Sequence, residues 1–468
     1  MQPSPSSIPA TAVAARVHPV RSFGGTVRLP GSKSITNRAL LMAALAEGTS
    51  IIRNALDCDD SRYLLEALGA LGIETRRGDG EETILVRGAG GPFPVKEGSF
   101  FLGNAGTALR FLTAALSASG GNFVVDGDAR MRERPIADLV KALVSLGGDA
   151  STATGCPPVK IGPRPLVGGR VDIPGSVSSQ FISAILMAAP LAPRRVELRV
   201  TGELVSRPYI DLTLHEMREF GAKVFADDKR ADGEPLFEVV PARSYRARDY
   251  FVEGDASAAS YFFAGAAVTG GTVRVEGVGK ESRQGDARCA DVLARMGCFV
   301  KKDREAITVT GGLLRSVDWN CADIPDVVPT LAVTALFASG RSRFRGVAHL
   351  RHKESDRIAS VAAEIRKLGG QVRELPDGLE VEGTLGPNPN TLHETVVDTW
   401  GDHRIAMAFA VAALVVPGVV IAAPQVVRKS FPTYFDELGR LGVKVEYVEK
   451  DGRTLPGAPE RPAGEVAP

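Results

Sequence analysis

Aromatic residues make up only 6% of this chain, and neither sign of charge predominates, with 56 Lys and Arg against 55 Asp and Glu. The first shortage excludes a stacking platform for single-stranded nucleic acid. The second excludes the basic surface of a nucleic-acid-binding protein, so no nucleic-acid partner is expected. The cysteines, Cys58, Cys156, Cys289, Cys298 and Cys321, are odd in number and scattered. With no C-x-x-C pair they build neither a zinc ribbon nor a secreted disulfide framework. His349 and His352 stand three apart but lack the further ligands of a recognised metal site, so no metal is expected. Long apolar runs are also missing. Ile405–Ala423 carries no charge, but Pro417-Gly418 splits it into a helix and a strand, and no membrane span is expected. The N-terminal stretch lacks the basic start and apolar core of a signal peptide, which points to the cytoplasm. Residues 1–15 and 451–468, without an apolar period, read as flexible tails. The usual phosphate loops are absent too. GVGKES (277–282) has no glycine five positions before Gly279, no G-x-G-x-x-G follows a strand, and there is no G-x-S-x-G elbow.

What the chain has in plenty is glycine, 51 in 468 residues, about 11% against an average of about 7%. One short pattern recurs around it: an amphipathic helix ends, a glycine follows, and an alternating strand begins. The glycines are Gly72, Gly147, Gly221, Gly297, Gly369 and Gly442, spaced by 75, 74, 76, 72 and 73 residues. Each suits a helix C-cap, where a left-handed residue closes the last turn. A second helix recurs in every repeat, rich in alanine and apolar on nearly all sides, as in NRALLMAALAEG and IAMAFAVAALVVPG; such a helix belongs inside a domain. A single repeat of this size is marginal alone. The expectation is an α/β (α+β) chain in which the repeats form two domains of three.

The segments leading into the six inner helices are GSKSITNR (31–38), GNAGTALR (103–110), GSVSSQ (175–180), GDASAAS (254–260), IPDVVPT (324–330) and GDHR (401–404). Such helix starts attract anions through backbone N–H groups and the helix dipole. Ser, Asp and Asn there also serve as N-caps. Capping does not account for Lys33, Arg38 or Arg404 in the first turns, where a cation opposes the dipole. Further cations gather elsewhere. Arg130, Arg132 and Arg134 fall on one side if their segment is extended. Lys353 and Arg357 form a like-charge pair if their segment is helical, at a cost of about 0.2–0.5 kcal/mol that an anionic ligand would relieve.

Taken together, LPGSKSITNRALLMAALA, LGNAGTALRFL, RMRERPIADL, GSVSSQFISA, VSRPYIDLTL, VEGDASAASYF, IPDVVPTLAV, RHKESDRI, GDHRIAMAFA and RKSFPTYFDEL strongly resemble the 5-enolpyruvylshikimate-3-phosphate (EPSP) synthase family, in order from about Arg16 to Tyr447. The resemblance implies a two-domain enolpyruvyl transferase fold, each domain three βαβαββ units around buried parallel helices. The domains would be 30–249 and 1–29 with 250–468. It implies transfer of the enolpyruvyl group of phosphoenolpyruvate to the 5-hydroxyl of shikimate 3-phosphate, with release of phosphate, on the route to aromatic amino acids. No cofactor is implied, and a monomer is expected.

The resemblance also implies roles. Lys33, Ser34, Arg38, Ser178, Ser179, Gln180, Ser206, Tyr209, Asp326, His349 and Lys353 look like ligands of shikimate 3-phosphate. Lys33, Gly106, Arg130, Gln180, Arg357, Arg404 and Lys429 look like the phosphoenolpyruvate site. Asp326 is the base for the 5-hydroxyl, and Glu354 with Lys33 handles the proton at the methylene carbon. These residue types suit the chemistry: an acid for carbon, a base beside the hydroxyl, and forked arginine donors for carboxylate and phosphate. His349 stands where many members have Asn, and Phe111 where many have Pro. Gly106 implies inhibition by glyphosate, a competitor of phosphoenolpyruvate in this family. Two rivals are a sister transferase acting on UDP-N-acetylglucosamine, which commonly carries a Cys on a loop of the first domain, and a binding protein that has lost catalysis. No Cys lies between Cys58 and Cys156, and Lys33, Asp326 and Glu354 are all present.

Overall fold

The computed structural model describes residues 8–80, 82–228, 233–384, 391–450 and 453–456. Two compact units emerge, one of Gly31–Glu253 and one of Met1–Pro30 with Gly254–Pro468, each with its own apolar core. The first unit contains helices α1 (Lys33–Leu45), α2 (Asp59–Ala70), α3 (Gly106–Ser119), α4 (Ala137–Ser145), α5 (Ser179–Ala188) and α6 (Arg207–Glu219). The second contains α7 (Ala256–Thr269), α8 (Cys289–Arg295), α9 (Val328–Ala335), α10 (Arg357–Lys367), α11 (His403–Ala413) and α12 (Tyr434–Arg440).

Odd-numbered helices are the inner ones. Every residue of α3, α9 and α11 is buried, as expected of helices apolar all round. Even-numbered helices bury one face only; in α4 the buried residues are Leu139, Val140, Ala142 and Leu143. Each outer helix ends as its glycine predicts. Gly72, Gly147, Gly221, Gly297, Gly369 and Gly442 have φ of +86°, +94°, +83°, +108°, +90° and +83°. A side chain would strain the backbone at all six.

Six sheets share one topology. A strand leads to an inner helix, a parallel partner follows it, the outer helix comes next, and a hairpin returns antiparallel. In the middle repeat of the first unit, Glu97–Phe101 runs parallel to Asn122–Asp126, and Ala150–Thr152 and Val159–Ile161 form the hairpin. Three repeats, the last of them described below, are completed by strands from far along the chain. Asp249–Phe251 pairs parallel with Thr49–Arg53, and Gly25–Arg28 pairs parallel with Thr272–Glu276. This pairing moves the boundary: residues 250–253, expected in the second domain, belong to the first unit because their strand completes its first sheet.

The N-terminal tail also needs correction. Ala12–Val17 is a strand paired with Val420–Ala422 on one side and Val445–Glu449 on the other, so it supplies the fourth strand of the last repeat. Val13 and Arg16 face outward and the other four residues are buried, the strict alternation of a half-buried strand being broken where the register shifts between Ala12 and Ala14. Ile8 is buried just before it. At the other end, Thr454–Pro456 adds an antiparallel strand beside Val445–Glu449. Residues 1–7, 451–452 and 457–468 lie outside the described residues. Ile405–Ala423 resolves into α11, a turn at Gly418 with φ +78°, and the strand Val420–Ala422. Among the described residues no helix is long and apolar enough to cross a membrane.

Candidate active site

In the second unit the chemistry collects around Arg357, the first residue of α10, whose side chain is 2% exposed. A buried guanidinium needs carboxylates and hydrogen bonds to replace water, and three carboxylates supply them. Nη1 donates to Asp326 Oδ1 at 3.0 Å, Nη2 to Glu354 Oε2 at 2.8 Å, and Nε to Asp402 Oδ2 at 2.8 Å. The expected like-charge repulsion with Lys353 is therefore not the organising feature. Lys353 sits in extended backbone at the end of the turn Ala348–His352, before the helix begins, so the two cations do not share a helix face.

Arg404, in the first turn of α11, donates from Nη2 to Asp326 Oδ2 at 2.6 Å and from Nη1 to the Tyr261 hydroxyl at 3.4 Å. Asp326 thus has one oxygen on each arginine. Burial pulls its pKa upward, but Arg404, Lys353 and Arg357 outweigh burial and hold it below the usual carboxylate range. For Arg357, burial is outweighed by Asp402, Glu354 and Asp326, and its pKa is raised. His349 is buried in the turn Ala348–His352; burial, then Lys353, lowers its pKa to about 3. Lys429 is buried at the end of the turn Pro424–Lys429, which packs against α11.

Asp402, not among the expected site residues, joins these elements. Its carboxylate takes Arg357, accepts from Ser355 Oγ at 3.2 Å, and caps α11 by accepting from the backbone N of Arg404 at 2.9 Å. The signal was the GDHR segment itself, an acid directly before a helix that starts with cations.

In the first unit, α1 and α3 begin with no side-chain cap, unlike α5, α7 and α11, capped by Ser178, Asp255 and Asp402. Lys33 opens α1, and its Nζ lies 3.2 Å from Asp60 Oδ2, a carboxylate only 2% exposed. Arg38, one turn on, is buried and knits three helices together. Nη1 donates to the Ser34 carbonyl at 2.8 Å, Nε to Thr213 Oγ1 at 2.8 Å, and Nη2 to the Tyr209 carbonyl at 3.2 Å and Ser183 Oγ at 3.4 Å. Its guanidinium also lies 5.0 Å from the ring centroid of Phe111. Phe111 therefore supports Arg38 by a cation–π contact. Ser206 precedes α6 with φ +56°, a left-handed position for a non-glycine residue. Ser178 Oγ accepts from Gln180 N at 3.3 Å, and Ser179 is buried beside it.

Gly106, the first residue of α3, lies against two guanidiniums. A Cβ there would come within 2.6 Å of Arg110 Nη1 and 2.6 Å of Arg134 Nη2. Arg110 Nη1 donates to Gln180 Oε1 at 2.9 Å, and Gln180 Nε2 donates to Thr107 Oγ1 at 3.1 Å. Arg134 Nη1 donates to Asn104 Oδ1 at 2.9 Å. The extended spacing of the three arginines gives way to a tight turn at Met131–Glu133, because Asp128 Oδ1 accepts from the backbone N of Met131 at 2.8 Å. The turn sends them apart: Arg132 pairs with Asp126, and Arg130 reaches Glu133 at 2.7 Å on the surface. Arg134, rather than Arg130, is the arginine placed against Gly106. Among the described residues no group of three or more His, Cys, Asp or Glu is placed to hold a metal ion.

Comparison with known proteins agrees with this chemistry. Residues 17–438 match the family model described as EPSP synthase (3-phosphoshikimate 1-carboxyvinyltransferase). A 3-phosphoshikimate 1-carboxyvinyltransferase of Sulfurovum sp. (strain NBC37-1) is 47% identical over 424 residues, covering 90% of this chain and 97% of that protein. The chloroplastic enzyme of Petunia hybrida is 46% identical, covering 90% and 84%. A solved structure of EPSP synthase from Acinetobacter baumannii superposes with a TM-score of 0.76 at 28% identity, covering 92% of this chain and 99% of that one. With its six repeats, its arginine-bound carboxylates and a match across nearly its whole length, the chain belongs to the EPSP synthase family, the 3-phosphoshikimate 1-carboxyvinyltransferases.

Proposed function

We propose that this chain runs its family's reaction, transfer of the enolpyruvyl group of phosphoenolpyruvate to the 5-hydroxyl of shikimate 3-phosphate. The observation that carries the reading is the arrangement of Arg357 and Arg404, two buried guanidiniums that both donate to Asp326. A site built to hold a carboxylate between two forked donors is suited to hold a substrate carboxylate or phosphate in the same way. By the resemblance, phosphoenolpyruvate is assigned to Arg357, Arg404, Lys429, Gly106, Gln180 and Lys33, and Arg134 is added for its place against Gly106. Arg130 drops from that set because its side chain is turned to Glu133.

Shikimate 3-phosphate is assigned to Ser34, Arg38, Ser178, Ser179, Gln180, Ser206 and Tyr209 of the first unit, with Lys33, and to Lys353, His349 and Asp326 of the second. The first unit is thus read as the shikimate 3-phosphate domain. The reaction needs C3 of phosphoenolpyruvate protonated while the 5-hydroxyl, losing its proton, attacks C2. The tetrahedral adduct then expels phosphate as C3 gives up a proton. Asp326 is assigned the hydroxyl proton, and Glu354 and Lys33 the proton at C3. Arg357 holds Glu354 at 2.8 Å, and Asp60 holds Lys33 at 3.2 Å, so both proton carriers are oriented before substrate arrives. The same reading takes the protein as a cytoplasmic monomer, which sedimentation of the purified protein tests.

The assay is phosphate release from phosphoenolpyruvate with each acceptor in turn. Release that requires shikimate 3-phosphate supports the reading. Release with UDP-N-acetylglucosamine, or binding of shikimate 3-phosphate with no turnover, overturns it.

A further inference from the structure

The turn that delivers Asp402 and Arg404 is held in a costly conformation. Trp400 has φ +53° and Gly401 φ +66°. Glycine enters the left-handed region freely, whereas tryptophan is strained there. Burial of the indole does not explain its placement, because Trp400 is 48% exposed. What holds it is Glu364 of α10, whose side chain is fully buried. Glu364 Oε1 accepts from the indole Nε1 of Trp400 at 2.9 Å, and Oε2 accepts from the backbone N of Asp398 at 3.0 Å. Lys367 Nζ donates to both oxygens, at 2.8 and 3.1 Å, and balances the charge. Within the turn, Trp400 N donates to Asp398 Oδ1 at 2.8 Å and Asp402 N to the Thr399 carbonyl at 2.8 Å.

Arg357 and Glu364 are seven residues apart on α10, close to two full turns, so they lie on one face about 10 Å apart. Arg357 grips the C-terminal end of the turn through Asp402, and Glu364 grips its middle and its start through Trp400 and Asp398. One helix face therefore holds the 398–402 turn twice.

We propose that Glu364, acting through Trp400, is a positioning residue for phosphoenolpyruvate. It sets the 398–402 turn so that Asp402 meets Arg357 and the Arg404 side chain leaves the start of α11 at the required place. Glu364 touches no substrate; its effect passes through Arg404 and Asp402. The inference rests on the reading that Arg357 and Arg404 bind phosphoenolpyruvate.

Steady-state kinetics on the full chain test it with Trp400→Phe, Glu364→Gln, the double variant and Arg404→Ala, each checked for folding by its melting curve. Trp400→Phe removes one donor from a half-exposed ring, so this variant keeps its fold. Loss of a hydrogen bond to a charged acceptor raises the KM for phosphoenolpyruvate about tenfold in either single variant, while the KM for shikimate 3-phosphate stays within twofold. The double variant is no worse than the worse single one, because both changes break the same link. An unchanged KM for phosphoenolpyruvate in Trp400→Phe, with Arg404→Ala impaired, overturns the positioning role and leaves the site reading standing. Equal rises for both substrates also overturn it, as a general structural effect. An unchanged KM in Arg404→Ala instead removes the site reading beneath it.

Discussion

Asp326 accepts a hydrogen bond from Arg404 at 2.6 Å, the shortest of the bonds described above within the group of charges around Arg357. A second bond, from Arg357 at 3.0 Å, occupies its other oxygen. The residue assigned as base is thus bound to the two cations assigned to phosphoenolpyruvate. A carboxylate so held is a poor base, since its pKa lies below the usual range. An arriving anion that draws the guanidiniums to itself weakens that hold and makes Asp326 more basic at the moment the 5-hydroxyl must lose its proton.

Asp326→Asn is therefore expected to do two separable things. Loss of the base lowers kcat by about 10²-fold or more. Loss of the charge leaves two buried arginines short of an anion and destabilises the protein by about 3 kcal/mol. Phosphoenolpyruvate or inorganic phosphate fills the gap, so added anion raises the melting temperature of the variant more than that of the parent. Equal shifts in the two proteins would contradict the exchange.

Acid stability follows from His349. Its folded pKa is about 3, held down by burial and then Lys353, against 6.5 for an ordinary histidine. Between those values the unfolded chain binds more protons than the folded one, so stability is present above pH 6.5 and is lost as pH falls toward 3. The slope is at most about 1.4 kcal/mol per pH unit for one proton. Urea unfolding at a series of pH values is expected to show a shallower decline between pH 6.5 and 4 in His349→Gln than in the parent.

Glu216 gives the opposite sign. It is fully buried in α6, and burial raises its pKa well above the 4.5 of an ordinary glutamate, with Arg38 opposing. Here the folded state keeps its proton and the unfolded state loses it, so the contribution to stability falls as pH rises above 4.5. Glu216→Gln is expected to stabilise the protein by about 1–3 kcal/mol near pH 8, with a gain that shrinks toward pH 5. Melting curves at the two pH values compare the variants directly. A loss of stability at pH 8 would show that the attraction between Glu216 and Arg38 outweighs burial.

At Gly106 a methyl group is expected to act on binding more than on folding. The added Cβ meets the ends of Arg110 and Arg134 rather than backbone, so the two guanidiniums shift and the anion contacts shift with them. Gly106→Ala should raise the KM for phosphoenolpyruvate by roughly tenfold, equivalent to about 1.4 kcal/mol. The parent enzyme is expected to be inhibited by millimolar glyphosate, with weaker inhibition in the variant. Inhibition curves at fixed phosphoenolpyruvate check both.

Much of this was legible before any coordinates, for identifiable reasons. The glycines closing the outer helices stood out because a left-handed cap tolerates little else, and six caps at an even spacing revealed the repeats. The strand Ala12–Val17 was hidden because its partners lie some 400 residues away, and a short apolar run says nothing about what it pairs with. Arg130 was assigned from the resemblance; the tight turn that Asp128 stabilises through its bond to Met131, which sequence spacing does not report, sets Arg134 against Gly106 instead. Asp402 was visible only as an acid beside Arg404 at a helix start, and nothing in the sequence singles out Glu364. Their importance lies in tertiary partners, Arg357 and Trp400, that no local pattern reports. Glu216 was missed for the same reason, since a charge on an amphipathic helix is expected to face water.

The central claim is that Asp326, held by Arg357 and Arg404, takes the proton from the acceptor hydroxyl. Proton NMR of a mixture of phosphoenolpyruvate, shikimate 3-phosphate and enzyme follows the methylene signals of the enol ether product directly. The account predicts that the parent converts both substrates, and that Asp326→Asn still binds shikimate 3-phosphate but forms product at least about 10²-fold more slowly. Product formation by Asp326→Asn at the parent's rate would contradict it.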